Sequence, residues 1–203
     1  MFILFSSLSL HRFLTRLENS KGYAPKDTIS LLVLLRKSAD EFGSVVKNLR
    51  VTENAIEFDL YVLDTKKKEE TIEKLEKEFG RKTSERDLEK EEVTPPDKVA
   101  VLRQSVELFN EQRYWECHET LEQIWRREPK GPEKDVQQGI ILAASALVHF
   151  QKNEDEVCIG MMPKALAKLD SWYEKKYYMI DIEHLREKLK EIQNTRTIHL
   201  FKI

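Results

Sequence analysis

Cysteine, glycine and proline are all scarce, at two, six and six in 203 residues. The two cysteines, Cys117 and Cys158, stand in no C-x-x-C arrangement. Each lies in an apolar helical context, so both are expected as reduced core residues of an intracellular protein, with a disulfide between them as the alternative. No excess of one charge is present either. Residues 1–96 carry 17 Lys/Arg against 18 Asp/Glu, and residues 97–203 carry the same numbers. Neither half has the surplus of positive charge that announces nucleic acid or an anionic membrane. An apolar run of membrane-spanning length is also missing. The opening MFILFSSLSL is apolar but short, lacks a basic n-region and a small-x-small cleavage site, and is followed at once by charge. It reads as a loosely attached extension or first strand of a cytoplasmic protein. What remains, 40% hydrophobic and 34% charged residues, is the balance of a helix-rich globular chain rather than a disordered one.

The first half alternates periods of two and 3.6. Residues 11–19 are compatible with a strand. Pro25 suits a first helical position, and Ile29, Leu32, Val33, Ala39 and Phe42 then recur at helical spacing as far as Gly43. Residues 45–51 read as a strand, and Glu53-Asn54 as a tight turn in which asparagine tolerates positive φ. Ile56, Phe58, Leu60 and Val62 alternate with Glu57, Asp59 and Tyr61, the clearest strand of the chain, over 55–63. Asp64 is placed to cap a second helix with Ile72, Leu75 and Phe79 on one face and Gly80 at its end. Residues 81–88 read as a polar strand whose charges blunt an exposed edge.

The order strand-helix-strand-strand-helix-strand is the split βαβ, ferredoxin-like pattern, expected over residues 1–90 as an α+β domain. The pattern serves many functions and identifies none. RNA-binding versions stack bases on aromatics in a Gly-Phe-rich central strand, and AIEFDLYVL has no such motif. An interaction or lid module is the expected role.

Residues 89–98, EKEEVTPPDK, hold Pro95-Pro96 amid charge, so a linker is expected at 91–96. Everything beyond, 97–203, reads as an all-α helical bundle. Asp97 caps a helix with Val99, Leu102, Val106 and Phe109 on one face. The helix hairpin that follows has no second copy at a fixed period, so no repeat array is expected. After Glu128-Pro-Lys-Gly-Pro132, a helix over 133–151 is apolar nearly all round and therefore enclosed by neighbours. Val157, Met161, Ala165, Leu169 and Trp172 mark another helix, kinked or restarted at Pro163. Asp181 caps the last, with Ile182, Leu185, Leu189 and Ile192 inward. No sheet is expected in this half.

The candidate site lies in 109–127, FNEQRYWECHETLEQIWRR. Tyr114, Cys117, Leu121, Ile124 and Trp125 form an apolar stripe, with Glu116, Thr120, Gln123 and Arg127 opposite, toward water. His118 and Glu122, one turn apart, fall on the shoulder of the stripe. On the enclosed helix, Gln138, Ser145 and His149 share one face with Leu142 between them. A buried polar group left unpaired costs about 1 to 3 kcal/mol, so these should face His118 and Glu122 across the hairpin.

The run FNEQRYWECHETLEQIWR followed by QQGIILAASALVHF resembles the helical family known as domain of unknown function 309. His118, Glu119, Glu122 and Trp125 occupy its H-E-x-x-E-x-x-W motif, and Gln138, Gly139, Ile141, Ala144 and His149 its second motif. The resemblance spans roughly residues 97–172. It implies a compact helical bundle and no particular reaction.

Two readings of the site follow. In one, His118, Glu122 and His149 bind a divalent metal, the one cofactor the chain suggests, and Glu119 serves as base of a hydrolase-type enzyme. Helix rise opposes this, placing Leu142 and Ser145, not His149, level with His118. In the other, Glu122 holds the His118 ring and Gln138 or Ser145 completes a structural network, with no cofactor. The chain is then a binding or scaffolding protein whose partner is a protein or small molecule. The second is the preferred expectation. Cys117 beside His118 is no dyad, since adjacent helical side chains diverge by about 100°.

Overall fold

A computed structural model describes residues 11–89 and 97–203, and the chain divides into two compact units, Met1–Val93 and Thr94–Ile203. The expected linker at 91–96 and the apolar opening segment lie outside the described residues. In the first unit, β1 (His11–Glu18) leads through a 3-10 turn at Pro25–Asp27 into α1 (Thr28–Asp40). Then come β2 (Val45–Val51), β3 (Ala55–Val62), α2 (Thr65–Phe79) and β4 (Lys82–Asp87). The strands lie in the order β2-β3-β1-β4, every neighbouring pair antiparallel, which is the split βαβ topology. Asp64 caps α2 by accepting from the Lys66 amide at 2.9 Å. The turn out of α2 requires glycine at position 80. Its φ is +138°, and a Cβ there would lie 2.1 Å from the Glu18 carbonyl oxygen.

One sheet face packs on both helices. Phe13, Leu17, Ile56, Phe58 and Leu60 meet Leu31, Leu35, Ile72 and Leu75 in a single core. The inner face of α1 differs from the expected one. Ile29 and Val33 are 74% and 61% exposed, while Leu31 and Leu35 are buried beside the expected Ala39. Polar residues made the difference, because Thr28 and Ser38 are buried, the Thr28 hydroxyl bonded to the Pro25 carbonyl and the Ser38 hydroxyl shared between the Glu78 carboxylate and the Leu34 carbonyl. Hydrogen-bonded in this way, they occupy interior positions that periodicity assigns to apolar side chains.

The opposite sheet face is not a solvated one. Arg50, Glu57 and Asp59 are buried. Arg50 donates to Glu57 at 2.7 Å and to Asp59 at 3.1 Å, and Asp59 also receives Arg12 at 2.6 Å and Asn48 at 2.7 Å. A β-bulge builds this network. The β2–β3 register shifts between Lys47 and Arg50, where Asn48 has φ 51°. The extra residue turns Leu49 and Val51 toward the helices and Arg50 away from them. The left-handed asparagine of this strand pair is therefore Asn48. The turn at Glu53-Asn54 closes instead through Thr52, whose amide and hydroxyl both reach the Ala55 carbonyl.

The second unit comprises α3 (Lys98–Asn110), α4 (Tyr114–Trp125), α5 (Pro132–Gln151), α6 (Asp155–Leu169), a two-residue hairpin of β5 (Lys176–Tyr177) and β6 (Ile180–Asp181), and α7 (Ile182–Thr195). That hairpin corrects the expectation of no sheet here. Its Tyr177–Ile180 and Lys176–Asp181 pairs are too few for periodicity to register. Asp97 and Asp181 cap α3 and α7, accepting from the Ala100 and His184 amides. The inner face of α7 is the expected one, Ile182, Leu185, Leu189 and Ile192 all being buried. Val99 and Val157 are exposed, and Val101, Leu108, Cys158 and Ile159 take the core positions of α3 and α6. The α6 helix continues through Pro163 instead of restarting there. As its apolar composition requires, α5 is buried over most of its circumference. It approaches α6 so closely at Gly139 that a Cβ would lie 2.7 Å from the Leu169 side chain. The tail returns to the α3–α4 corner, where Phe201 meets the Phe109 ring at 5.6 Å and the Ile203 amide donates to Asn110 at 2.9 Å. Among the described residues, no helix is long and apolar enough to cross a membrane.

Candidate functional site

The α4 helix buries Tyr114, Cys117, Leu121 and Ile124, as the apolar stripe requires. Glu116 and Thr120, expected in water, are buried as well. Glu116 can leave water because Arg113 grips both its oxygens, at 2.7 and 2.8 Å. The shoulder toward solvent is a ladder of Trp115, His118, Glu119, Glu122 and Trp125, all half-buried. His118 Nε2 lies 3.6 Å from Glu122 Oε1, and its Nδ1 lies 3.3 Å from Glu119 Oε1. The second Glu122 oxygen pairs with Arg126 one turn on. Lys134 Nζ stands 4.9 Å from the Trp125 ring centroid. Cys117 and Cys158 are both free and buried. Burial pushes the Cys158 thiol up to about 12 and carries Cys117 higher, so neither is an available nucleophile at neutral pH.

Gln138, Leu142, Ser145 and His149 do form one stripe on α5, but it is half-buried rather than interior. Two contacts set the antiparallel register of α4 on α5. Lys134 meets Trp125 at one end, and Gln151 donates to the Gln112 carbonyl at 2.7 Å at the other. Residue numbers on facing turns therefore sum to about 260, which places His118 beside Leu142 and Ser145. His149 is more than a turn away and pairs with Glu154, so it does not complete a set with His118 and Glu122. No group of three His, Cys, Asp or Glu among the described residues is arranged to hold a metal ion. Gln138 and Ser145 form no hydrogen bond with His118 or Glu122 among these residues, because a half-buried stripe can be satisfied by water.

The interior polar group of α5 is the neighbouring Gln137, which is fully buried. Its Nε2 donates to Glu128 Oε2 at 2.7 Å and to the Tyr177 hydroxyl at 2.8 Å. Lys98, in the first turn of α3, lies 2.7 Å from Glu128 and also pairs with Glu133. Its ammonium stands 5.9 and 5.8 Å from the ring centroids of Tyr177 and Tyr178. Burial alone would lower the Lys98 pKa, but the hydrogen bonds to Glu128 and Glu133 outweigh it and hold the group well above an ordinary lysine. Burial likewise works to raise Glu128, yet the hydrogen bonds from Lys98 and Gln137 bring its carboxyl below the usual range. Sequence reasoning missed this cluster. Its members come from α3, the α4–α5 connection, α5 and the β5–β6 hairpin, and share no spacing that could have revealed them.

Residues 102–161 match the family model described as Domain of unknown function (DUF309). The match contains both motifs with His118, Glu122, Gln138 and His149, and leaves out Lys98, Tyr177 and the whole first unit. No curated protein matches the chain.

Proposed function

We propose that the helical unit is a binding or scaffolding module whose working surface is the α4–α5 face carrying Trp115, His118, Glu122 and Trp125 beside Gln138, Leu142 and Ser145. The observation that carries this reading is the pairing of its ionisable groups. His118 sits between Glu119 and Glu122, near both carboxylates but with its buried Nδ1 not hydrogen-bonded among the described residues, while Glu122 holds Arg126 and His149 pairs with Glu154. Groups whose nearest opposite charges lie on their own helix or its adjoining turn do not converge on a reacting atom, whereas a half-buried stripe flanked by two tryptophans suits contact with a partner. The partner is a protein or small molecule, since the balanced charge of each half offers little to nucleic acid. Buried, unreacted cysteines fit a cytoplasmic setting.

A photo-crosslinking residue in place of Leu142 tests this in the native host. A discrete adduct, lost when His118 and Trp125 are replaced by alanine, is the expected result. The competing reading is a metal-assisted hydrolase with Glu119 as base, and it has one favourable feature, an imidazole between two carboxylates. Elemental analysis of tag-free protein separates the two. Stoichiometric metal that disappears in His118→Gln overturns the binding reading. We further infer that residues 1–90 and 97–203 are independent domains, so limited proteolysis should cut first within 89–98 and leave a stable helical fragment. Early cleavage within 133–151 would contradict that division.

A further inference from the structure

The first unit contains an open cavity of about 560 Å³ between the C-terminal halves of α1 and α2, with Tyr23, Leu34 and Phe79 as its apolar lining. That volume lies within the range of roughly 300–1,000 Å³ typical of small-molecule sites. Its apolar lining is partly open to water, since Leu34 is 48% exposed. Nothing in the strand-helix pattern required a cavity here. Leu34, turned away from the core, lines it together with the buried Phe79.

The charges around the cavity are unevenly satisfied. Lys21, Lys37 and Lys77 line it, against Glu41 and Glu78. Both carboxylates are held by Lys74, at 3.2 and 3.1 Å, and Lys74 does not line the cavity. Ser38 adds a hydrogen bond to Glu78, and this bond first, with Lys74 second, lowers that carboxyl's pKa. Lys77 is paired with Glu73 at 2.7 Å. By contrast, Lys21 donates to the neutral Glu78 carbonyl at 2.5 Å, stands 5.9 Å from the Phe79 ring centroid and attracts the Glu78 carboxylate only through space. Lys37 has no ion-pair partner among the described residues. Lys21 and Lys37 thus face the single negative charge that Lys74 leaves on Glu41 and Glu78. One positive charge stands uncompensated beside an apolar floor.

We propose that this cavity binds a small organic anion with an apolar body, its head group between Lys21 and Lys37 and its body against Tyr23, Leu34 and Phe79. A carboxylate and a phosphate monoester share that chemistry. The size of the cavity favours a small molecule over an acidic peptide helix, which would have to cover Ile29 and Val33 as well.

Calorimetric titration of the full chain with octanoate and with octyl phosphate tests the site, using octylammonium and octanol as controls. Saturable binding of at least one anion is expected, with markedly weaker binding of both controls. An exposed ion pair contributes modestly, so reversing its sign in Lys37→Glu should weaken binding by about tenfold. Leu34→Asp should abolish it, and Ile29→Asp should leave it unchanged. Lys37 and Leu34 are both on the surface, so thermal melting of these variants should match the parent. Absence of saturable anion binding overturns the proposal. So does octylammonium binding equal to octanoate, or anion binding indifferent to Lys37→Glu. Weakening by Ile29→Asp equal to that by Leu34→Asp would mean a longer, peptide-like occupant and would also overturn it.

Discussion

The helical unit holds two polar clusters of opposite construction. His118, Glu119 and Glu122 belong to one helix, are half-buried and pair across a single turn. Lys98, Glu128, Gln137 and Tyr177 come from four separate segments, and Gln137 and Tyr177 are buried. The first lies wholly within the matched family stretch, while two members of the second lie outside it. The difference separates two uses of polarity. A short-range, water-accessible cluster adds little to stability and leaves a surface available for recognition. A long-range interior cluster fixes where the chain segments sit, because each member would be left unsatisfied without the others.

If this contrast holds, the largest effect belongs to Tyr177. Its ring packs edge-on against Trp172 at 5.1 Å and Tyr178 at 5.0 Å, and its hydroxyl receives Gln137. Tyr177→Ala should cost about 3–5 kcal/mol in urea unfolding. Tyr177→Phe, which removes only the hydroxyl, should cost about 1 kcal/mol. A loss below about 1 kcal/mol for the alanine variant would show that the hairpin is not tied to the bundle and would erase the distinction between the clusters.

The adjacent glutamines sharpen the contrast. Gln137→Leu strips Glu128 and Tyr177 of a donor in the interior and should cost about 1–3 kcal/mol. Gln138→Leu, on the half-buried stripe, should stay within about 0.5 kcal/mol. Equal losses would mean that the stripe is as interior as the cluster.

These neighbours also show how far the sequence could be read. Asp64, Asp97 and Asp181 announced their helices, and the inner face of α7 and the alternation of β3 were evident, because each is a local pattern that the tertiary structure leaves undisturbed. The position of His118 relative to Leu142 followed from helix rise alone. The inner face of α1 did not, since Thr28 and Ser38 enter the interior by hydrogen-bonding there, Thr28 to a backbone carbonyl and Ser38 to Glu78 as well, a choice invisible to hydrophobic periodicity. Nor did the Arg50 network, because one extra residue at Asn48 changes which face Arg50 takes. Gln138 drew attention through its motif while Gln137 makes the contacts. The contact to Tyr177 spans 40 residues, and nothing in the spacing marks Tyr177 as its partner.

Acid should act on the interior cluster in a defined direction. The folded pKa of Glu128 is below its ordinary value of 4.5, so the carboxylate contributes stability above that value. The contribution is lost as pH falls through the folded pKa. The gap in melting temperature between the parent and Glu128→Gln should therefore be widest near neutrality and narrow as pH falls below 4.5. A gap that widened in acid would reverse the sign and contradict the pairing with Lys98.

The smallest effect is expected at the site the sequence made most conspicuous. His118 and Glu122 are 3.6 Å apart, with side chains 24% and 21% exposed. An i,i+4 pair of this kind contributes about 0.2–1 kcal/mol. Glu122 also holds Arg126, so Glu122→Gln alone reports two contacts, and a double-mutant cycle with His118→Gln is needed to isolate one. The cycle should give a coupling of about 1 kcal/mol or less, unchanged by a chelator. Coupling that vanished on chelation, together with a lower melting temperature of the parent, would place an ion between the two residues and restore the catalytic reading. Strict additivity in both conditions would mean that the two side chains do not interact. The recognition surface would then rest on Trp115, Trp125 and the α5 stripe alone. Loss of the crosslink from position 142 in Trp125→Ala, but not in His118→Ala, would be the matching result.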